Sequence, residues 1–166
     1  MRKAALLVGI FLLVPLAAHA QKNEIFAGYS FQVMEARPSG FALINGWEGS
    51  YTYKVSSYFG ITADASGDYG TVVNSRMNFH SYLFGPQVQI SLSRHFAPFV
   101  HALFGVSRES FQSFTTNKFS FADGGGVDYR ISESFSIRLI QADFITGNFT
   151  QSSPESRFST GIVLRF

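Results

Sequence analysis

The chain of 166 residues contains no cysteine. This absence excludes disulfide bonds and metal sites that are built on thiolates. It also excludes a lipid anchor attached through a cysteine at the start of an exported segment. The sequence has only four histidines, and one of them, His19, lies in the N-terminal apolar region. We therefore expect neither a metal site nor another cofactor.

Charged residues are also scarce, at 14% of the sequence. The 11 acidic residues are matched by an equal number of basic ones once Arg2 and Lys3, which lie in a predicted export signal, are set aside. A neutral chain of this kind offers no basic surface for nucleic acid. The glycine triplet 124–126 is not a phosphate-binding loop, because no Walker residues follow it.

Long apolar runs are absent except at the N-terminus. There the positive start Met1–Lys3 precedes the unbroken apolar segment Ala4–Val14 and the A-x-A sequence Ala18-His19-Ala20. This is the pattern of a secretory signal peptide, and the run is too short for a membrane-spanning helix, which needs about 20 apolar residues. We predict a cleaved signal peptide over residues 1–20 and one exported domain over residues 21–166.

Aromatic residues and glycine, in contrast, are abundant, with 19 Phe, 7 Tyr and 15 Gly. Aromatic residues favour strands, and glycine suits tight turns and crowded barrel interiors. No exported segment has a long helical period; instead, eight segments alternate between apolar and polar residues, which predicts antiparallel β-structure. The eight predicted strands cover approximately residues 24–33, 46–55, 58–68, 81–91, 98–107, 119–130, 135–145 and 157–166.

The connections between these segments are predicted to alternate in length. Those after the first, third, fifth and seventh strands are long, and those after the second, fourth and sixth are short. Long loops on one side and short turns on the other are typical of barrels of the bacterial outer membrane. Strands of about 9–11 residues match the tilted crossing length of such a barrel.

The last predicted strand has an apolar and a mixed face. Ile162, Leu164 and Phe166 share the apolar face, while Arg165 lies on the other, and the sequence stops on the aromatic ring. An apolar face toward lipid with an aromatic residue at the water boundary is typical of membrane barrels. The segment resembles the C-terminal assembly signal of outer-membrane β-barrels, and this resemblance assigns Ile162, Leu164 and Phe166 to that signal.

Several strings elsewhere extend the resemblance. They are Gly28-Tyr29-Ser30, Phe84-Gly85-Pro86, Pro98–Gly105, Gly124–Asp128 and Arg138–Asp143. The exported segment resembles the small outer-membrane β-barrel domain family, the OmpA/OmpX-type eight-stranded, porin-family-like proteins. The resemblance implies an all-β, eight-stranded antiparallel up-and-down transmembrane barrel in the outer membrane of a Gram-negative cell envelope. It implies no catalytic site. We expect as partners outer-membrane lipids and lipopolysaccharide, and, during biogenesis, the barrel-assembly machinery and periplasmic chaperones.

The polar face of the strands carries charges of both signs. Because an eight-stranded interior is just wide enough for side chains and buried charges need partners, we predict an interior polar network that plugs the barrel. Asp128 and Arg138 flank the turn 131–134 and are expected to pair, with Asp64 and His101 joining them. The predicted network consists of Glu48, Asp64, His101, Asp128, Arg138 and Arg165.

Three positions disturb the alternation. Pro86 cannot donate to a strand ladder, so a bulge is expected there. In the seventh strand, Gln141 and Asp143 would face lipid unless a bulge near Ile140 turns them inward, and we predict that bulge. The facing of Asp123 stays open in the sequence.

These features favour a structural, surface-interaction protein over an enzyme. The predicted long loops 34–45 and 109–118 offer Arg108, Lys118, Phe111 and Phe114 to a surface ligand or to lipopolysaccharide phosphate. A small low-conductance, porin-like channel is the alternative. A lipid A-modifying enzyme is less favoured, because its only Ser–His candidates are His80 with Ser81 and His101 with Ser107. A soluble secreted sandwich or lipocalin-like barrel would also alternate, but it does not predict a polar interior or the terminal Phe.

Overall fold

The structure is a computed structural model that describes residues 22–36, 40–72, 75–111, 114–147 and 155–166. The predicted signal peptide, 1–20, lies outside the described residues. No described segment is a helix long and apolar enough to cross a membrane.

The described residues form eight β-strands, which contain 11 to 17 residues each. Every strand is antiparallel to the next one along the chain. The strands are β1 (Asn23–Ala36), β2 (Gly40–Lys54), β3 (Phe59–Val72), β4 (Ser75–Gln89), β5 (Phe96–Phe111), β6 (Phe114–Arg130), β7 (Phe135–Gly147) and β8 (Glu155–Arg165).

Pairing between the first and last strands closes the sheet into a barrel. The register of this seam places Glu24 opposite Arg165 and Val33 opposite Ser156. Closure leaves no unpaired strand edge, which removes the template for aggregation that an open sheet presents. The predicted eight-stranded antiparallel architecture is confirmed.

The three turns at the end that carries the N-terminus share one device. Ser56, Ser93 and Ser132 each accept a hydrogen bond, at 3.1 Å, from the backbone N–H of the residue three positions further on. A serine hydroxyl in this position satisfies a backbone donor that no strand ladder reaches. The short turns at this end of the barrel are therefore stabilised by a local hydrogen bond from the backbone to a serine of the same turn.

The barrel has apolar residues on its outside and polar residues on its inside, which is the reverse of a water-soluble barrel. The outer wall exposes large apolar side chains, among them Ile61, Phe84 and Val100, whereas most of the buried side chains inside are polar or charged. On β8, Ile162 is 44% exposed and Val163 is fully buried. The alternation within each strand thus separates an apolar exterior from a polar interior.

The strands extend further than the sequence predicts, and the connections are shorter. β3 ends at Val72 and β4 begins at Ser75, while β5 ends at Phe111 and β6 begins at Phe114. The predicted long loops after the first, third and fifth strands are therefore wrong, because those polar segments continue the hairpins. In these extensions apolar side chains also occur on the inner face, where Ile44, Met77 and Phe79 are buried. The pattern of an apolar exterior and a polar interior is therefore lost there, although the strands still pair.

The predicted bulge at Pro86 is also wrong. Pro86 lies opposite Ile61, and the pairing of β4 with β5 has the same register on both sides of it, with Phe84 opposite Phe104 and Gln87 opposite His101. The strand therefore keeps its course at the position where the proline supplies no donor.

The bulge predicted near Ile140 is confirmed. The register of β7 shifts against both neighbours at this point, and Leu139 and Ile140 are both exposed on the outer wall. The extra residue reverses the alternation, so that Gln141 and Asp143 are almost fully buried. A register shift of one residue moves every later side chain to the other face.

Candidate functional site

The structure places all six residues of the predicted polar network inside the barrel. They belong to two clusters at different levels, and Gln141 connects the two: Arg138 Nη1 donates to Gln141 Oε1 at 2.7 Å, and Gln141 Nε2 donates to the carboxylates of Glu48 and Asp143. At the outer wall, Ile162 and Phe166 are exposed and Leu164 is half-buried.

The terminal cluster lies at the end of the barrel where both chain termini are found. Arg138 Nε donates to Asp128 Oδ1 at 2.8 Å, as the predicted pairing required. Glu24 accepts a hydrogen bond from Arg165 Nε at 2.9 Å and lies 3.2 Å from Lys54 Nζ and 3.5 Å from Arg138 Nη2. Basic groups outnumber acidic ones here, since Lys54, Arg138 and Arg165 face Glu24 and Asp128.

Two aromatic rings enclose the guanidinium of Arg138. Its Cζ atom lies 4.3 Å from the ring centroid of Phe26 and 4.1 Å from that of Phe99. A desolvated guanidinium over an aromatic face gains about 2 kcal/mol. This contact explains why Phe26 and Phe99 occupy inward positions among polar residues.

The central cluster is built around Arg157, which is 0% exposed. Its Nη2 lies 2.7 Å from Asp143 Oδ2, its Nη1 lies 3.1 Å from Asp64 Oδ1, and its Nε lies 3.4 Å from Glu48 Oε2. His101 Nε2 lies 2.8 Å from Asp143 Oδ1. One guanidinium therefore contacts three buried carboxyl groups, which come from β2, β3 and β7.

Gln141 connects the carboxylates of the central cluster. Its Nε2 donates to Glu48 Oε1 and to Asp143 Oδ2, both at 2.7 Å, and the hydroxyl of Ser159 also donates to Glu48. Asp143 and Glu48 thus keep neutral donors besides Arg157, whereas Asp64 has Arg157 as its charged partner. The cluster is a packed, hydrogen-bonded plug of the kind that an eight-stranded lumen accommodates.

Glycine makes room for Asp143 of the central cluster and for Asp68, a buried carboxylate on β3. A Cβ atom at Gly124 would lie 2.2 Å from Asp143 Oδ1, and one at Gly46 would lie 2.6 Å from Asp68 Oδ1. Neither position tolerates a side chain without moving the acid. The crowding that the sequence suggested for the glycine triplet is therefore present at Gly124.

Asp64 and His101 join Asp128 and Arg138 indirectly, because Gln141 bonds to both Arg138 and Asp143. Asp64 pairs with Arg157, and His101 pairs with Asp143. Arg157 itself was missed, although its spacing from Arg165 places both on one face of β8. A central guanidinium could have been found by that parity alone.

No family model matches the sequence, and no curated protein matches it. Solved structures do match. Neisserial surface protein A has a TM-score of 0.73 at 12% identity, over 89% of this chain and 99% of that chain. The N-terminal barrel domain of OprF from Pseudomonas aeruginosa gives 0.63 at 13%, over 89% and 100%. Ail, the attachment invasion locus protein of Yersinia pestis, gives 0.60 at 15%, over 89% and 100%. The chain has the fold of the small outer-membrane β-barrels.

In this outer-membrane barrel fold, Asp123 stands on the lipid-type face. It is exposed on β6, between Ala102 of β5 and Phe144 of β7, and Phe121 is its neighbour on the same face. Its carboxylate makes no hydrogen bond or ion pair within the described part of the chain. The structure thus places the side chain of Asp123 on the outer wall, where a charged group in contact with lipid is energetically unfavourable.

The outer wall of the barrel also has an apolar groove of about 610 Å³. Its floor is formed by Gly49, Ala63 and Ala65, and its sides by Tyr51 and Tyr82. Small residues between large aromatic ones create a shallow depression on the wall.

Neither Ser–His candidate of the enzyme alternative forms a pair. The ring of His80 contacts the hydroxyl of Tyr69 at 3.0 Å, while Ser81 is turned inward and bonds to Ser66 at 2.7 Å. His101 is engaged by Asp143, and Ser107 has no hydrogen-bond partner among the described residues. The same residues contain no group of three His, Asp or Glu side chains that could hold a metal ion.

The candidate surface residues are distributed unevenly. Arg108 is exposed on β5, whereas Lys118 on β6 donates to Glu109 at 2.9 Å and is half-buried. The side chains of Phe111 and Phe114, and much of the predicted loop 34–45, lie outside the part that the structure describes. Among the described candidates, Arg108 is therefore the basic group that stands free on the surface.

Proposed function

We propose that this chain is an integral protein of the bacterial outer membrane with a structural and surface-interaction role, exported by the segment 1–20. One observation carries the proposal: residues such as Ile61 and Phe84 cover the outer wall while Asp128 and Arg157 are buried inside. In water, such a wall would be an apolar patch far larger than soluble monomers expose. The shared fold with outer-membrane barrels supports the same compartment.

Fractionation tests this proposal together with gel mobility. The protein should sediment with the outer membrane, and its band should shift when the sample is boiled, because a closed barrel resists detergent until heated. A protein that stays in the soluble periplasmic fraction and shows no shift would contradict the proposal.

The outer wall and the last strand support the proposed partners. Outer-membrane lipids and lipopolysaccharide would contact the apolar wall, and periplasmic chaperones and the barrel-assembly machinery would engage Ile162, Leu164 and Phe166 before closure. Phe166→Ala should reduce the folded barrel in the membrane several-fold and raise the unfolded fraction. Phe144→Ala is the matched control, since Phe144 is also an exposed ring on the wall. Equal effects of both variants would argue against a special terminal signal.

The two charged clusters support a plugged interior rather than a pore. Arg138 and Arg157 fill the lumen at two levels, with ion pairs of 2.7–3.5 Å to their carboxylates. We expect no single-channel conductance in planar bilayers. Stable conductance steps that persist in the purified barrel would favour the porin-like alternative.

The exposed side chain of Arg108 supports contact with anionic groups at the surface, such as lipopolysaccharide phosphate. Arg108→Gln should weaken binding to lipopolysaccharide about tenfold or less, as expected for one charge-assisted contact. Arg94→Gln is the control, because Arg94 is exposed in the turn at the opposite end of the barrel. Equal affinities for the wild type and Arg108→Gln would remove this role.

The proposal contains no catalytic step, since the wall presents no Ser–His pair in the described segments. Lipid A extracted from cells with and without expression should give identical mass spectra. A new lipid A species that depends on expression would reinstate the enzyme alternative.

A further inference from the structure

Several buried oxygen atoms near the rim remote from the termini lack a partner. Within the described residues, Gln32 Oε1, Asp68 Oδ2, Ser107 Oγ and Ser120 Oγ make no hydrogen bond although each residue is at most 3% exposed. A fifth such atom, Glu24 Oε1, lies 3.5 Å from Arg138 Nη2 and is thereby compensated. Unsatisfied buried oxygens normally signal a bound water or ion.

The four atoms belong to one layer of the interior. Gln32, Asp68 and Ser107 lie in the final third of β1, β3 and β5, which run toward this rim, and Ser120 lies in the first half of β6, which runs back from it. We call these four residues and Glu155, at the start of β8, the rim layer.

Contacts within the rim layer bring its groups together. Asp68 Oδ1 accepts a hydrogen bond from Ser30 at 2.6 Å, and Gln32 Nε2 donates to Glu155 Oε2. Ser30 and Gln32 are next but one on β1, so they point to the same side. The carboxylate of Glu155 also interacts electrostatically with Asp68, Glu109 and Lys118. The free oxygens of Asp68 and Gln32 therefore belong to groups that already share a small space.

The charge around the rim layer is negative. Asp68, Glu109 and Glu155 are accompanied by Lys118, whose ammonium group is taken by Glu109 at 2.9 Å. This is the reverse of the terminal cluster, where basic groups are in excess. Asp68 is fully buried and Glu155 is half-buried, and neither carboxylate has an ion-pair partner among the described residues. A carboxylate that is withdrawn from water without a paired cation is costly to hold in a protein interior.

We propose that the rim layer binds one Ca²⁺ ion through Asp68, Gln32 and Glu155, with serine hydroxyls and water completing the coordination. All the unpartnered atoms are oxygens, and carboxylate, amide and water oxygens in flexible arrangement are the ligands that Ca²⁺ takes, whereas Mg²⁺ demands a nearly ideal octahedron. Since no three acidic or histidine side chains converge among the described residues, the affinity should be that of weak extracellular sites, with a dissociation constant on the order of 10⁻⁴–10⁻³ M. This site goes beyond the surface role proposed above and requires the barrel fold alone.

The test is calcium titration of the refolded, full exported barrel in a zwitterionic detergent free of lipopolysaccharide, after treatment with EDTA. Calorimetry should give one ion per barrel, and the thermal unfolding midpoint should rise with Ca²⁺ and saturate. Asp68→Asn, which keeps the acceptor for Ser30, should weaken Ca²⁺ binding at least tenfold, and Glu155→Gln should do the same. Asp123→Asn is the matched control, because this carboxylate lies on the outer wall, and its Ca²⁺ affinity should equal that of the wild type.

The experiment compares how strongly the wild type and each variant respond to Ca²⁺, and it does not compare their stabilities without Ca²⁺. A variant that is more or less stable than the wild type is therefore still informative. Absence of binding by the wild type up to 10 mM Ca²⁺, by order of magnitude well above the expected constant, would overturn the proposal. An affinity of Asp68→Asn within twofold of the wild type would also overturn it. A rise in the unfolding midpoint that K⁺ reproduces at equal ionic strength would show general screening instead of a site.

Discussion

Removing the central guanidinium gives the sharpest test of how this barrel is held together. Arg157→Met keeps most of the side-chain volume but removes the charge shared by Glu48, Asp64 and Asp143. After the substitution, Asp143 still has His101 and Gln141 as partners. Asp64 is left without a charged partner, at a site where its exposed fraction is 5%.

The expected loss of stability follows from the partners that Asp143 and Asp64 keep after the substitution. Breaking a buried ion pair by removing one partner costs about 3–5 kcal/mol, because the remaining charge stays desolvated. We expect the free energy of unfolding of Arg157→Met to fall by about that amount. Adding Asp64→Asn removes the stranded charge, so the double variant should recover about 1–3 kcal/mol relative to Arg157→Met.

Urea unfolding in lipid vesicles measures these differences through fluorescence. The chain has a single tryptophan, Trp47, which is 45% exposed on the outer wall, so its emission reports transfer from lipid to water. Arg94→Met is the control, because it makes the same substitution in an exposed turn. The reasoning is refuted if Arg157→Met loses no more stability than Arg94→Met, or if Asp64→Asn further destabilises the Arg157→Met variant.

Two further predictions concern β6 and β7. Asp123→Leu should raise the free energy of unfolding in vesicles by about 1 kcal/mol, since a carboxylate in mid-bilayer costs less than the 2–4 kcal/mol of a basic group. Glu133→Leu, in an exposed turn, is the control. A loss of stability in Asp123→Leu would contradict the outward facing of Asp123. Deletion of Ile140 removes the extra residue of the bulge, so that Gln141 follows Leu139 directly and Gln141 and Asp143 still face inward; the heat-modifiable gel band should persist. Insertion of one alanine after Ile140 turns Gln141 and Asp143 toward lipid, so the band should disappear, and a normal band from the insertion variant would contradict this register.

The facing of most side chains was predictable, because a strand has a period of two and each segment is long enough to display it. Local pairs were predictable as well, since Asp128 and Arg138 are joined by a short turn that brings them opposite each other. Asp123 belongs to the same face as Phe121, and the following glycine triplet, which has no side chains, concealed that parity.

Contacts across the lumen were not predictable from the sequence. Arg157 and Asp64 are 93 residues apart, and the stagger of eight strands around the barrel decides that they meet. Strand ends were missed for a different reason: backbone pairing between Val72 and Ser75, or between Phe111 and Phe114, needs no apolar alternation. The sequence pattern reports the environment of side chains, and it gives no strand signal where apolar residues no longer lie on one face only.

The last strand supplies two of the positive charges that neutralise the lumen. Arg165 serves Glu24 on β1, and Arg157 serves carboxylates on β2, β3 and β7. A sheet without β8 would therefore leave Glu48 and Asp64 without a guanidinium partner, at positions that are at most 5% exposed in the closed barrel. Because the same strand pairs with β1 and supplies both guanidinium groups, closure of the sheet and neutralisation of the interior acids depend on one element.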